Sequence, residues 1–188
     1  MSPVSIWREL PEQHRRYVIT QAIIATAFIN LALNAGIAWV SARNEDNVPL
    51  WATPLIDKPS TITDTVGTFF ILPLLTCLIF TALARRELRH GKLAPLHWSR
   101  SSHPFLARLP SGTLKRGLAL GAIVTIALSP LAVPILVAAD FGDLTVGEFV
   151  LYKAIFGVVL GAIVTPVVAL WAIADVEPAE PAAAPAQT

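Results

Sequence analysis

Charged residues and cysteine are both scarce in this chain, and each scarcity excludes a class of protein. Charged side chains make up only 14% of the 188 residues, whereas hydrophobic residues make up 54%. A soluble domain carries roughly 25% charged residues, so the composition excludes a soluble fold and indicates an integral membrane protein. Cys77 is the only cysteine and lies within an apolar run, so the chain forms no internal disulfide.

The sequence motifs of common catalytic and cofactor sites are also missing. It contains no phosphate-binding glycine loop, dinucleotide fingerprint, metalloprotease helix or nucleophile elbow. The histidines show no i,i+4 spacing, so we predict solvated positions for them and no metal site. They are His14, His90, His97 and His103. We therefore predict no cofactor and no catalytic residues, and no nucleic-acid partner, because membrane topology explains the basic residues.

Basic residues concentrate in one polar segment, residues 85–116, which we call the basic belt. It carries eight Lys and Arg residues and a single acid, Glu87. Short loops rich in Lys and Arg stay on the cytoplasmic side of a membrane, so we expect the basic belt to face the cytoplasm. Long apolar runs flank it in pairs, and this one assignment therefore sets the direction of every predicted span.

The apolar runs predict an all-α integral membrane protein, a four-helix bundle built from two antiparallel transmembrane hairpins. Each run is long enough, at about 1.5 Å per residue, to cross a hydrocarbon core of ~30 Å. Short outer loops should make spans one and two, and spans three and four, neighbours. The predicted spans are residues 17–40, 64–84, 117–139 and 148–174.

The two ends of the chain should both lie in the cytoplasm, which makes this a multi-pass protein of the cytoplasmic (inner) membrane. Residues 1–16 are predicted to form a short cytoplasmic head. Residues 175–188 are acidic and rich in Pro and Ala, with too little apolar surface to fold alone. We expect this tail to be disordered.

A cleaved secretory signal peptide is the alternative interpretation of residues 17–42. Val40-Ser41-Ala42 has the small residues of a cleavage site. The apolar stretch, however, exceeds the roughly 7–15 residues of a signal core, and it contains Asn30 and Asn34. A retained span is therefore favoured. The positive-inside rule does not distinguish a retained span from a cleaved signal peptide, because either product would keep the basic belt in the cytoplasm.

Small residues recur every four positions in the third and fourth spans, and so lie along one face of each helix. The glycines among them are Gly117, Gly121, Gly157 and Gly161. Small residues let helix backbones approach closely, so we expect these two antiparallel spans to pack together, with Gly121 at the depth of Thr165. The same face would also suit a homo-oligomer, since four short spans enclose little volume.

Several polar residues lie within the apolar runs, where they are uncommon. Asn30 and Asn34 are one turn apart, and an unsatisfied amide in hydrocarbon costs several kcal/mol. We expect them to bond to the second span, where Pro73 frees a backbone carbonyl. Lys153 in the fourth span should either extend outward or pair with an acid. The acids within reach are Asp64, Asp140 and Asp143.

Two acids stand at the predicted outer starts of helices. Asp64 follows Thr61 by three residues, and Glu148 follows Thr145 by three. This is the spacing of a capping box, in which an acid and a hydroxyl satisfy each other's backbone N–H groups. Capping and the helix dipole would account for both acids without any chemistry.

Three functions of different classes remain open. The first is a transport or channel-type protein, since intramembrane polar groups often mark solute pathways. Its binding residues would be Asn30, Asn34, Asp64 and Lys153. The second is a non-catalytic membrane scaffold or accessory subunit, in which the same residues are structural glue. The third is a lipid-modifying membrane enzyme, with anionic lipid head groups held at about 1 kcal/mol per cation. The cations would be Arg85, Arg86 and Arg89.

Overall fold

The chain is mostly helical, as predicted, in a computed structural model that describes residues 10–52, 58–92, 110, 112–139 and 143–174. The elements in chain order are α1 (Glu12–Tyr17), a π-helix (Val18–Ala25), α2 (Thr26–Ala42), β1 (Asn47–Val48), α3 (Thr61–Arg89), α4 (Thr113–Ala138), β2 (Leu144–Thr145) and α5 (Val146–Ala174). The predicted disordered tail, most of the head and much of the basic belt lie outside the described residues.

Three helices are long and apolar enough to cross a membrane, which supports a multi-pass membrane protein. They are α3, α4 and the Val146–Ile173 part of α5. The first predicted span is built differently, because the π-helix precedes an α2 of only 17 residues. Helix length alone therefore does not establish a fourth crossing.

α3 is longer than the predicted second span at both ends. It begins at Thr61, where Ser60 is the N-cap and its side chain accepts a hydrogen bond from the Thr63 N–H at 3.4 Å. The predicted Thr61–Asp64 capping box is therefore wrong. α3 continues to Arg89, so the first residues of the basic belt are helical. Basic side chains in a last turn interact favourably with the helix dipole, which suits this extension.

The second predicted capping box, at the start of α5, is confirmed. The Glu148 carboxylate accepts a hydrogen bond from the Thr145 N–H at 2.9 Å, and the Thr145 hydroxyl accepts one from the Glu148 N–H at 3.4 Å. The two predicted boxes had the same spacing. They differ in outcome because α3 is capped by Ser60, one residue before Thr61, whereas Thr145 itself precedes the first residue of α5.

The long helices pack in the order α4, α3, α5, α2. α3 and α5 run parallel in the middle, with Phe69 and Phe156 in edge-to-face contact at 5.3 Å between ring centroids. α4 lies antiparallel on the outer side of α3, and α2 antiparallel on the outer side of α5. The predicted hairpins and closed four-helix bundle are thus not confirmed, because the extensive contacts join other pairs of helices.

The glycines lie at close helix contacts, but with other partners than expected. Gly117 and Gly121 of α4 face α3, where a Cβ added to Gly121 would stand 2.6 Å from the Phe70 carbonyl oxygen. Gly157 and Gly161 of α5 face α2. The expected packing of the third span on the fourth is therefore wrong. The small residues of α4 pack on α3, and those of α5 pack on α2.

Short segments tie the helix ends together. At one end, β1 pairs antiparallel with β2, with Val48 opposite Leu144. At the other end, the Gln13 side chain of α1 donates a hydrogen bond to the Lys92 carbonyl at 2.8 Å. His14 of α1 is only 3% exposed, so the prediction of a solvated position is wrong for this histidine. The fold thus has a strand-paired end and an α1 end.

We predict that Gly121→Ala destabilises the protein by about 1–3 kcal/mol, the usual cost of overpacking. The new Cβ meets the Phe70 backbone oxygen at 2.6 Å as well as the Phe70 ring at 3.0 Å, so moving the ring alone gives no relief and the two helices must separate. Thermal unfolding of the purified protein in detergent measures the effect. Gly36→Ala is the matched control, because open space surrounds that helical glycine. Equal stability of the two variants would contradict the close α3–α4 contact.

Candidate functional site

A groove of about 330 Å³ lies between α2 and α3. These two helices share few direct contacts in the described part of the chain. α2 packs mainly on α5, and α3 packs on α5 and α4. Aliphatic side chains that remain about half exposed, such as Leu33 and Leu75, form its two walls. The groove therefore opens sideways, toward the surroundings that a membrane would fill with lipid.

All four of the binding residues predicted from the sequence line this groove. They are Asn30, Asn34, Asp64 and Lys153. The two asparagines come from α2, the aspartate from the first turn of α3 and the lysine from α5. The groove is therefore a candidate site assembled from three helices.

Lys153 is 1% exposed, and its ammonium group is held by groups from α3 and α5. It forms an ion pair with the Asp64 carboxylate and donates a hydrogen bond to the Thr68 hydroxyl. Its Nζ also lies 5.7 Å from the centroid of the Phe156 ring, within the range of a cation–π interaction. Lysine is almost never fully buried unless it is paired. The pair joins the two middle helices.

The position of Asp64 follows from helix geometry. Asp64 and Thr68 are one turn apart and share one face of α3, so both reach the same ammonium group. The Thr68 hydroxyl in turn donates to the Asp64 backbone carbonyl at 2.7 Å. Of the other two acids considered from the sequence, Asp143 is exposed, and Asp140 lies outside the described residues.

A second polar contact joins α3 to α5 beside the ion pair. The Thr65 hydroxyl donates to the Thr61 carbonyl at 2.6 Å and lies 2.6 Å from the Tyr152 hydroxyl. A hydroxyl has one proton to donate, so the Tyr152 hydroxyl is the donor to Thr65. This pair was not predicted from the sequence. Its members could have been suspected only because they are chain neighbours of the ion pair, since Thr65 follows Asp64 and Tyr152 precedes Lys153.

Asn30 and Asn34 lie at the back of the groove, 7% and 8% exposed. The Asn34 side chain donates to the Asn30 backbone carbonyl at 2.9 Å, and no bond joins either amide to α3 within the described residues. The expected pairing with the second span is therefore wrong. The two amides instead occupy the space above Gly161 and Gly157. The Asn30 Nδ2 has no hydrogen-bond partner in the described part of the protein.

The arginines predicted to hold lipid head groups lie elsewhere. Arg85, Arg86 and Arg89 are exposed at the C-terminal end of α3. Arg89 is about 37 Å from Asp64 along this helix, at about 1.5 Å per residue. The structure thus places Asn30, Asn34 and the ion pair along one groove, whereas the arginines lie beyond its apolar end, after Leu83.

The groove offers binding groups rather than a catalytic set. It presents hydroxyls, amides and one neutral ion pair, and no group of three metal-ligating side chains occurs in the residues that the structure describes. A charge pair of this kind holds α3 against α5, and either of its members could also pair with a polar ligand. Its chemistry suits reversible binding.

Fold and site together define a mostly helical protein with three helices able to cross a membrane and a polar groove between two of its helices. The chain matches no protein-family model, no curated protein and no solved structure. The geometry of the groove is therefore what supports a function.

We predict that Lys153→Met costs about 3 kcal/mol of stability, because removing one partner leaves the other charge uncompensated. The double variant Asp64→Asn/Lys153→Met removes both charges and should recover most of this loss. Thermal unfolding in detergent of both single variants and the double variant gives the coupling energy. Additive effects of the two substitutions would contradict the ion pair.

Proposed function

We propose that this protein is a small transport or channel-type membrane protein that binds its solute in the groove between α2 and α3. The observation that carries the proposal is that Asn30, Asn34, Asp64 and Lys153 all line this one groove. Polar and ionisable residues inside a membrane are costly and mark solute pathways. Four such residues from three helices at one groove favour a site over scattered structural contacts.

The ion pair would act as the movable element of this site. A solute that offers hydrogen bonds to Asp64 competes with Lys153 for the carboxylate, so binding weakens the link between α3 and α5. The groove walls are free to respond, because α2 and α3 are held mainly through α5 rather than by each other. Solute binding and helix movement are therefore coupled through one contact.

We further propose four crossings of the cytoplasmic membrane, with both chain ends and the basic belt in the cytoplasm. The π-helix and α2 together would provide the first crossing, and the packing of α2 on α5 supports a retained span over a cleaved signal peptide. The contact of α1 with Lys92 supports placing the head and the belt on the same side. The positive-inside rule gives that side as the cytoplasm.

Cysteine labelling tests this topology. We expect Arg100→Cys to react with a membrane-impermeant maleimide only after the membrane is opened, because the basic belt faces inward. Asp46→Cys, at an exposed position near the strand-paired end, should react in intact cells. Native Cys77 is 1% exposed and gives little background. Reaction of Arg100→Cys in intact cells would overturn the proposed orientation.

Flux in proteoliposomes tests the function. We expect purified protein to speed the passage of at least one of three probes, namely protons, potassium or glycerol, over protein-free liposomes. Asn34→Leu should lower that rate by about tenfold, the effect of about 1.4 kcal/mol, because an amide at the groove is lost. Asn44→Leu makes the same change at an exposed position and should leave the rate unchanged. Equal rates in the two variants would contradict a pathway through the groove.

A scaffold or accessory subunit is the second candidate function. It is favoured by α4, which among the described long helices packs mainly on α3 and leaves residues such as Ile126, 75% exposed, facing outward. A second copy or another membrane protein would suit that face. In this case the ion pair is internal glue, and none of the three probes should move faster than in protein-free liposomes.

A lipid-modifying enzyme is the weakest of the three candidates. Arg85, Arg86 and Arg89 form an exposed basic surface that suits anionic lipid head groups. They lie beyond the apolar end of the groove, at the opposite end from the Asp64–Lys153 pair, and no candidate nucleophile and base accompany them among the described residues. Lipid contact is therefore proposed as a partner interaction of this surface rather than as catalysis.

A further inference from the structure

The two ends of the groove differ in polarity, because Asp64 and Lys153 line one end and Ile79 and Leu83 line the other. Between them the lining is mostly aliphatic, and its polar members Asn30 and Asn34 are only 7% and 8% exposed. The α3 wall runs from Thr63 to Leu83, about 30 Å at about 1.5 Å per residue. A polar end continued by a mostly apolar trough matches a molecule with one polar head and one hydrocarbon chain.

The polar end presents an acceptor and is neutral overall. The Lys153 side chain is 2% exposed, whereas that of Asp64 keeps 22%, so the carboxylate is the more accessible member of the pair. The oxygen that faces Lys153, Oδ2, is buried, so the exposed part of this side chain lies away from the lysine. A ligand head that donates a hydrogen bond, such as a hydroxyl, could reach the carboxylate from that side. A charged head would unbalance the neutral pair in a medium where lone charges are costly.

The Asn30 amide lies at the back of the groove and does not present its donor to a ligand. Its Nδ2 is buried against Gly161 of α5 and lacks a hydrogen-bond partner within the described residues. The accessible polar group of the groove is therefore the Asp64 carboxylate.

The route into the groove is lateral. Ile37, Ile71 and Leu75 flank its opening and stay about half exposed, so in a membrane the opening faces lipid chains rather than water. A molecule already dissolved in the bilayer reaches it directly.

We propose that the groove binds a neutral, single-chain amphiphile with a hydroxyl-bearing head, which enters sideways from the bilayer. The head donates to Asp64 and the chain lies between α2 and α3. This inference rests on the proposed function in that it takes the groove as the binding site, and it adds the class of ligand.

Photo-crosslinking tests the proposal with the full chain in phosphatidylcholine nanodiscs. The probe is a glycerol monoester whose single C16 chain carries a diazirine at its middle. We expect cross-links to concentrate on Leu33, Ile71 and Leu75, with much less label on Ile123 and Ile126 of α4, which also face outward. Label spread evenly over both sets would mean ordinary lipid contact and would overturn the proposal.

Filling the groove supplies the decisive comparison. Gly67 lines the groove with open space around it, and Gly36 has open space but does not line the groove. Gly67→Leu should lower groove cross-linking by about tenfold, and Gly36→Leu should not. Leu75→Trp against Leu118→Trp, two leucines of similar exposure, repeats the comparison should Gly67→Leu fail to fold. Undiminished cross-linking in both groove variants would overturn the proposal.

Competition defines the head group. Unlabelled glycerol monoester should displace the probe at lower concentration than the matching carboxylate or primary amine. Equal or better competition by either charged amphiphile would overturn the neutral head. Groove cross-linking without flux of any probe would reject the transport function and keep the ligand site. Flux that Asn34→Leu abolishes, without groove cross-linking, would keep transport and reject this ligand class.

Discussion

The ion pair between Asp64 and Lys153 is the contact on which the helix arrangement depends. Both groups lie within otherwise apolar helices, where a lone charge is costly and a pair is tolerable. Their pairing fixes α3 and α5 side by side and parallel, and the contact of Tyr152 with Thr65 repeats that register. The remaining helices attach to the outer sides of this central pair, so their positions follow from it.

Close packing decides where those outer helices attach. Without water between helices, apolar surface alone gives little preference among neighbours, and small residues and polar contacts select the partner. The glycines of α5 make room for the asparagine amides of α2, while the glycines of α4 admit the backbone of α3. α2 is thereby drawn to α5 rather than to α3, its neighbour along the chain. The groove is the space that this choice leaves.

A groove formed in this way has consequences for function. Its polar end is closed by a neutral pair, its walls belong to helices that barely touch, and its opening faces sideways. A ligand of the proposed class would enter the groove from the membrane and compete with Lys153 for Asp64. The basic surface at the C-terminal end of α3 begins two residues after Leu83, at the apolar end of the groove.

The sequence alone determined the helical class, three of the four predicted long apolar spans, the Thr145–Glu148 cap and the polar residues that line the groove. These follow from composition, hydrophobic run length and residue spacing, which are local properties of the chain. The tertiary structure decided which helices are neighbours, that Asp64 rather than Asp143 pairs with Lys153, and that Asn30 and Asn34 pack over glycines instead of bonding to α3. Sequence spacing gives the face on which a side chain lies but not the helix that meets that face. In an apolar medium, steric fit and the pairing of a few polar groups settle that choice.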